Sequence, residues 1–197
     1  MSTPLDYFTQ AYQSGDAPWE IGHPQRAIVE ALDGLDNVTD AIDMGCGTGT
    51  HVLHLASRGI DAYGLDMVAL AIEQGRQAAA AAGLRTRFIT GDVFAPPDIG
   101  PFSLILDCGL MHLFKPGDQR RYIHGLHTLS RQDTRLLILG YSGMTAPQGP
   151  PGYHPDEVGR LLGPCWQLDM VRRAKFEGVS ARGDHPAWLS LFTRRDQ

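Results

Sequence analysis

A glycine-rich segment carries the strongest chemical signal in the sequence. A short apolar run leads into Asp43, which is followed at alternate positions by Gly45, Gly47 and Gly49. Glycines let the backbone turn tightly and let a ligand lie directly against it, because no side chain intervenes. The dinucleotide-binding fingerprint needs its third glycine one position later, where Thr50 stands, which argues against a nicotinamide cofactor. The acidic residue ahead of the loop suits a ligand with an ammonium group better than one with a pyrophosphate.

Two further acidic residues follow the next two apolar runs. Asp66 comes roughly twenty residues beyond the glycine loop, where a carboxylate can accept hydrogen bonds from ribose hydroxyls. The same residue also fits a helix N-cap. Asp92 suits the amino group of a purine with Val93 packed on the purine face, although Gly91-Asp92 is also ordinary turn chemistry. Combined with the glycine loop, these residues favour a nucleoside ligand.

The segment after the fourth apolar run has the residue types of an acceptor site. It runs from Asp107 through Cys108, Gly109 and Met111 to His112. His112 is the best candidate general base, since an ordinary imidazole has its pKa near neutrality. A lone histidine is nevertheless more often a packing or capping residue. No partner base for Cys108 is visible in the sequence, so it is interpreted as a residue that lines the site.

Apolar runs alternate with helical patterns, which is typical of an α/β fold with a mostly parallel sheet. The predicted strands are Ala41–Met44, Ala62–Leu65, Thr86–Thr90, Ser103–Asp107, Arg135–Gly140, about Gln167–Arg172 and Trp188–Thr193. The predicted helices are about Pro4–Gln13, Pro24–Leu32, Thr50–Arg58, Ala69–Ala82, Arg120–Leu129 and Asp156–Leu162. No full helix separates the last two strands, so an antiparallel closing hairpin is expected. In such a doubly wound, seven-stranded sheet with helices on both faces, ligands bind beyond the carboxyl ends of the strands.

Length, charge and cysteine usage narrow the class of protein. The 197 residues fit one structural unit, with residues 1–35 as N-terminal helices that cover the site and 36–197 as the ligand-binding domain. A net charge of −5 disfavours a nucleic-acid partner. No segment reads as a signal peptide or a transmembrane helix. An odd number of cysteines without paired spacing suits a reducing cytoplasm and no zinc site.

Two histidine pairs have one-turn spacing, His51 with His54 and His124 with His127. Such spacing can hold a metal ion, but no third ligand stands nearby. Both pairs are therefore interpreted as solvated helix faces, and no metal is expected.

The run Ala41-Ile42-Asp43-Met44-Gly45-Cys46-Gly47-Thr48-Gly49, with Asp66 and Asp92 behind it, resembles the Rossmann-like, class I S-adenosylmethionine-dependent methyltransferases over about residues 15–195. The resemblance implies that the glycine loop contacts the methionine portion of S-adenosyl-L-methionine. It also implies that Asp66 holds the ribose and that Asp92 with Val93 holds the adenine, with S-adenosyl-L-homocysteine as the product. The predicted donor-site residues are Trp19, Asp43, Gly45, Cys46, Gly47, Gly49, Asp66, Met67, Asp92, Val93, Asp107 and Cys108.

A narrower resemblance rests on the segments Ala17–Gln25 and Gly149–Tyr153. They are similar to the thiopurine S-methyltransferase and plant halide/thiol methyltransferase branch, and to actinobacterial enzymes that methylate small aromatic or hydroxyquinolone compounds. The resemblance implies that Trp19 closes over the donor and that Cys108 lines the site, where the branch often has Tyr, Arg or Ser. Arg131-Gln132-Asp133 departs from the Pro-Gly-Gly turn usual in the family.

The acceptor pocket is expected between the N-terminal helix, the segment after Asp107 and the loop from Tyr141 to Tyr153. That loop is rich in Gly and Pro, which predicts a mobile, apolar lid and a small, largely apolar acceptor. A thiol acceptor needs little help from a base, whereas an oxygen acceptor gains from one. The predicted acceptor-site residues are His23, Met111, His112, Tyr141, Met144 and Tyr153.

Other functions keep parts of this pattern. A cyclase or isomerase of a biosynthetic pathway can use the same fold and cofactor without methyl transfer. A non-catalytic module can bind the cofactor as a sensor, which an intact glycine loop does not exclude. A nicotinamide oxidoreductase is disfavoured by Thr50. The sequence leaves monomer and homodimer equally open.

Overall fold

Seven strands form one sheet in the computed structural model, which describes residues 3–143, 152–178 and 183–195. The strands are β1 (Asp40–Met44), β2 (Asp61–Asp66), β3 (Thr86–Thr90), β4 (Phe102–Cys108), β5 (Ser130–Tyr141), β6 (Trp166–Phe176) and β7 (His185–Arg194). The helices are α1 (Pro4–Ser14), α2 (Arg26–Asp33), α3 (Thr50–Ser57), α4 (Ala69–Ala81), α5 (Pro116–Thr128) and α6 (Pro155–Leu162), with a 3₁₀ turn at Met111–Leu113. Every strand and helix predicted from the sequence is confirmed, with shifted ends.

The strand order explains where a ligand can bind. It is β3-β2-β1-β4-β5-β7-β6, with β1 to β5 parallel and β7 antiparallel to both β5 and β6. The chain builds outward from β1 to β3 and then returns to place β4 on the other side of β1. Neighbouring loops diverge at this reversal and leave a crevice beyond the carboxyl ends of β1 and β4. Asp43, Asp66 and Asp107 all lie at this edge of the sheet.

The core fills both faces of the sheet. Successive residues of β4 alternate, with Leu104 and Leu106 in the cluster under α2, α3 and α4, and Ile105 in the cluster under α5 and α6. In β1, Ala41 and Ile42 divide in the same way. Period-two alternation with both faces buried explains why these central strands read as continuous apolar runs.

The N-terminal helix begins and ends at well-defined residues. Thr3 and Asp6 form a reciprocal capping box, Pro4 occupies the first turn, and Gly15 ends the helix in the left-handed conformation at φ 73°. Helix α1 packs on α4, while α2 packs on β5 and β6. Within the described ranges, none of the helices has the length and apolar character needed to cross a bilayer.

The segment Arg131-Gln132-Asp133 belongs to β5 and interrupts its pairing with β4. Asp133 has φ 63°, and the register shifts between Phe102 and Leu104 of β4. The buried Thr134 hydroxyl closes this irregularity by donating to the Phe102 carbonyl at 2.6 Å. The departure from the family turn lies at the amino end of β5, away from the crevice.

Candidate active site

The glycine loop is held in a backbone conformation that side chains rarely adopt. Gly45, Gly47 and Gly49 have φ of 70°, 56° and 82°. The amides of Gly45 and Cys46 both donate to the Leu65 carbonyl, at 2.7 and 3.1 Å, and so fix the loop to the end of β2. The loop therefore lies between β1 and β2, at the strand ends that face the crevice.

The loop glycines are required for different reasons. A Cβ on Gly49 would lie 2.3 Å from the Phe88 ring, so this glycine serves the packing of β3 under the loop. A Cβ on Gly47 would lie 2.7 Å from Tyr12 Oη and 2.9 Å from Glu20 Oε1. Gly47 thus makes room for the N-terminal segment, which the sequence predicted to cover the site.

The N-terminal segment is fastened over the loop by polar contacts. Thr48 donates to Glu20 through its hydroxyl at 2.6 Å and through its amide at 3.4 Å. Trp19 Nε1 donates to Tyr12 Oη at 2.8 Å, and the two rings meet edge to face at 5.7 Å. Sequence reasoning proposed Trp19 but missed Tyr12 and Glu20. Glu20 stands within the segment that carried the narrower resemblance, whereas nothing in the sequence marks Tyr12.

Asp43 has an unusual environment for a carboxylate. Its side chain is 2% exposed, and Oδ2 has no hydrogen-bond partner among the residues that the structure describes. Burial, followed by repulsion from Asp107 and Asp66, raises its pKa well above the usual range. A buried, unpartnered carboxylate is costly unless a cation or donor completes it. The ammonium group of S-adenosylmethionine has that chemistry, and the side-chain-free loop beside it fits a ligand held against the backbone.

Asp66 ties the end of β2 to its surroundings. Oδ2 accepts from the Gly47 amide at 2.9 Å, and Oδ1 accepts from the Val68 amide at 2.8 Å ahead of α4. Burial raises its pKa, and these hydrogen bonds oppose the shift. Val68 is the N-cap residue of α4, so Asp66 stabilises the turn ahead of the helix and is not its N-cap, which was the alternative interpretation. Each carboxylate oxygen keeps a second lone pair, which could accept a hydrogen bond from a ribose hydroxyl. The ribose contact itself stays a prediction. The adjacent Met67 is exposed.

Asp92 makes the turn that was its simpler interpretation. Its Oδ1 accepts from the Phe94 amide at 2.8 Å, and the side chain is exposed. Val93 is buried and packs in the core cluster beneath α5. An adenine contact by either residue remains a prediction.

Asp107, at the end of β4, organises the backbone that follows, and its predicted contact with the donor stays a prediction. It accepts from the Leu110 and Met111 amides at 3.1 Å and from Tyr122 Oη at 2.9 Å. Burial raises its pKa to about 6 against these bonds. Burial, Asp43 and Asp107 raise the pKa of the Cys108 thiol, which fits a lining residue and not a thiolate nucleophile.

Aromatic side chains from four elements, the 3₁₀ turn, β5, β6 and β7, meet beyond β4. His112 stacks on Tyr141 with centroids 4.3 Å apart and planes at 28°. Phe176 meets the edge of Tyr141 at 4.8 Å, and His185 lies 5.2 Å from it. Phe176 and His185 were not predicted, because the last two strands extend beyond the bounds expected from the sequence, to Phe176 in β6 and back to His185 in β7. We call His112, Tyr141, Phe176 and His185 the aromatic cluster.

Within this cluster, His112 is a neutral imidazole. Burial lowers its pKa to about 3, and Nδ1 is buried without a hydrogen-bond partner among the described residues. A ring in this state can accept one hydrogen bond from a bound molecule. The expectation of a pKa near neutrality is wrong, and the proposed role as a base stays untested.

The pKa of His112 makes stability depend on pH. Its pKa is about 3 in the folded protein against an ordinary value of 6.5, so the unfolded chain binds the extra proton as pH falls below 6.5. Because of this group, the free energy of unfolding decreases by about 2 kcal/mol as pH falls from 8 to 5. In His112→Phe, we expect the decrease in the free energy of unfolding from pH 8 to pH 5 to be about 2 kcal/mol smaller than in the wild type. Urea unfolding at both pH values measures the difference. Equal losses in variant and wild type would contradict the assignment.

Other predicted acceptor residues lie outside the aromatic cluster. His23 is exposed, and Met111 is buried in the core. Tyr153 is buried against Gly140, and its hydroxyl shares a hydrogen bond with Ser190. These residues remain predictions as acceptor contacts, and Met144 lies outside the described residues.

No three His, Cys, Asp or Glu side chains converge as metal ligands in the described part of the chain.

The chain matches known methyltransferases. Residues 41–133 match the sequence model of the family described as "Methyltransferase domain". The 2-heptyl-1-hydroxyquinolin-4(1H)-one methyltransferase of Mycobacteroides abscessus is 28% identical over 193 residues, which cover 91% of this chain and 83% of that protein.

Solved structures agree with this fold. A structure described as "Conversion of a Disulfide Bond into a Thioacetal Group during Echinomycin Biosynthesis" has a TM-score of 0.85 at 26% identity. The match covers 98% of this chain and 93% of the chain in that structure. Burkholderia thailandensis 1,6-didemethyltoxoflavin-N1-methyltransferase, with bound 1,6-didemethyltoxoflavin and S-adenosylhomocysteine, has a TM-score of 0.73 at 20% identity, with coverages of 100% and 92%. Because the matched domain begins on the strand that delivers the glycine loop, and a known methyltransferase is similar over most of the chain, the protein is an S-adenosylmethionine-dependent methyltransferase with a Rossmann-like fold.

Proposed function

We propose that this methyltransferase acts on a small, largely apolar acceptor at sulfur or oxygen, with sulfur favoured. The observation that carries the proposal is the change in character across the crevice. The donor side is acidic and polar, whereas the acceptor side is aromatic and contains a neutral imidazole. S-adenosylmethionine supplies a methyl group on a positively charged sulfur. The protein has to hold the two reactants in line and exclude water.

The donor side suits a cationic ligand. Asp43 is the proposed partner of the ammonium group, Gly45 and Gly47 give the backbone access to the ligand, and Asp66 is the proposed partner of the ribose. Residues 1–35 are proposed to cover the donor, which is supported by the contacts of Tyr12, Trp19 and Glu20 over the loop.

The state of the acceptor side favours a nucleophile that needs no strong base. His112 has a pKa of about 3, and the pKa of the Cys108 thiol is raised, so neither group readily removes a proton near pH 7. A thiol is partly ionised near neutral pH without help. An oxygen acceptor would depend on a hydrogen bond to the His112 imidazole. The similarity to a hydroxyquinolone methyltransferase supports a small aromatic acceptor as well.

We also propose a cellular compartment, a class of substrate and an oligomeric state. The described cysteines Cys46, Cys108 and Cys165 are all unpaired, which suits a reducing cytoplasm. The acidic net charge disfavours nucleic acid as the substrate. We propose that the protein acts as a monomer or a homodimer.

An acceptor screen tests the proposal. The purified protein is incubated with labelled donor and thiols, halides, phenols or hydroxyquinolines, and S-adenosylhomocysteine and methylated product are measured. We expect product from at least one small thiol or aromatic hydroxyl compound. Donor binding without turnover on any acceptor would contradict methyl transfer and favour the sensor or the cyclase.

His112→Ala separates the two acceptor atoms. Loss of the imidazole is expected to slow an oxygen acceptor about tenfold, the usual effect of losing one hydrogen bond to a reacting group, and a thiol less than about twofold. Rates with saturating donor are compared with those of His124→Ala, which removes an exposed imidazole from α5. Equal losses for both acceptors would remove His112 as a base.

A further inference from the structure

His51 lies in the first turn of α3 and is only 13% exposed, so its interpretation as part of a solvated helix face is wrong. Its Nε2 accepts a hydrogen bond from the backbone amide of Gln25 at 3.1 Å. A backbone amide only donates, so Nε2 carries no hydrogen. Burial lowers the pKa of His51 to about 4, which makes the ring neutral near pH 7. The ring hydrogen is therefore on Nδ1.

The protonated nitrogen lies near the unpartnered carboxylate. His51 Nδ1 is 3.9 Å from Asp43 Oδ2, which has no hydrogen-bond partner among the described residues. That separation is too long for a hydrogen bond. The N–H dipole still favours the charged carboxylate, and the oxygen keeps its lone pairs for another donor.

The other side of His51 is anchored by a buried glutamine. Gln25 is 2% exposed, and its side chain donates to the Glu177 carbonyl and accepts from the Glu177 amide, both at 2.8 Å. The Arg26 amide donates to the Glu177 carboxylate at 2.7 Å. These bonds join the start of α2 to the end of β6. They fix the position of the Gln25 backbone amide, and therefore of the His51 ring that accepts its hydrogen bond.

We infer that His51 is a positioning residue for the methyl donor: it presents Nδ1–H to the Asp43 carboxylate and so keeps that group ready for the donor's ammonium. The inference rests on the proposed place of Asp43 in the donor site. It adds a link between this carboxylate and the N-terminal segment, because the orientation of His51 depends on Gln25.

The surroundings of Asp43 make the role measurable through pH. The groups that face Asp43 are Asp66 at the end of β2, Asp107 and Cys108 on β4, Cys46 on the loop, Tyr122 on α5 and His51 on α3. The two carboxyl groups favour its neutral form, whereas Nδ1–H favours the charged form. Donor binding needs the charged form, so affinity falls as pH decreases. Removing Nδ1–H shifts this fall to higher pH.

Calorimetry of S-adenosylmethionine binding from pH 6 to pH 8 tests the inference. His51→Leu is expected to raise Kd about tenfold, because the carboxylate loses a nearby N–H dipole that favours its charged form, and to move the pH dependence upward. His51→Asn retains one acceptor and one donor group and should recover most of the affinity. His54→Leu, one turn along α3, is the matched control and should bind as wild type does.

Each outcome distinguishes the inference from the proposed site. If Asp43→Asn loses affinity while a folded His51→Leu keeps the wild-type Kd and pH profile, Asp43 stands and the role of His51 fails. If Asp43→Asn also binds normally, the assignment of Asp43 to the donor site is wrong. Should His51→Leu fail to fold, His51→Asn decides: a folded variant with poor affinity and an unshifted pH profile overturns the inference.

Discussion

Gly47→Val is expected to abolish donor binding, with Kd raised more than about 100-fold, because backbone strain and overpacking each cost a few kcal/mol. Gly47 has φ 56°, and an added Cβ would lie 2.7 Å from Tyr12 Oη and 2.9 Å from Glu20 Oε1. The valine must distort the loop or displace the N-terminal segment. Either change alters the surface on which the methionine portion of the donor is proposed to lie. Calorimetry with S-adenosylmethionine measures the loss.

Gly59→Val is the matched control for this variant. Gly59 has φ 80° at the other end of α3, and an added Cβ would meet nothing within 4 Å. The control therefore carries comparable backbone strain without the collision. Thermal unfolding of both variants shows how much of the effect is global. Wild-type affinity in a folded Gly47→Val would mean that the donor binds elsewhere.

The fold was predictable because its signals are local. Each central strand is buried on both faces and reads as an apolar run, and the glycine loop after β1 marks the sheet edge that binds ligand. The closing pair β6 and β7 was recognisable from the missing helix between them. Strand order is a long-range property: the sequence predicted only a doubly wound sheet, and the structure supplies the order.

The site was predictable only in part because some of its contacts cross long stretches of chain. Glu20 reaches Thr48, and Tyr12 reaches the space above Gly47, through tertiary packing that leaves no periodic pattern. His51 was misinterpreted for the same reason. One-turn spacing with His54 gives a helix face, but the burial of that face depends on Gln25 and on the end of β6.

Acidic residues at the strand ends illustrate a limit of sequence reasoning. Asp66, Asp92 and Asp107 each accept hydrogen bonds from nearby backbone amides, which is the ordinary chemistry of a turn after a strand. Within the part of the chain that the structure describes, Asp43 has no such bond to Oδ2. All four occupy similar positions in the sequence, so only the structure separates the carboxylate that lacks a partner from those that shape the backbone.

Asp66→Ala is expected to abolish donor binding and to lower the free energy of unfolding by about 2–4 kcal/mol, because two backbone amides lose a charged acceptor. The affected amides belong to Gly47 and Val68, at 2.9 and 2.8 Å from the carboxylate. The first fixes the glycine loop and the second begins the turn into α4. Urea unfolding measures the stability, and calorimetry with S-adenosylmethionine measures the affinity.

Asp66→Asn separates the structural role from the proposed ribose contact. Its single carbonyl oxygen can replace one of the two acceptors, so we expect a stability between those of wild type and Asp66→Ala. A ribose contact predicts that affinity stays poor even at a temperature where the asparagine variant is fully folded. If affinity instead recovers in step with stability, Asp66 acts by holding the loop. Wild-type affinity in Asp66→Ala would contradict both roles, because the loop would then bind the donor without its tether to β2.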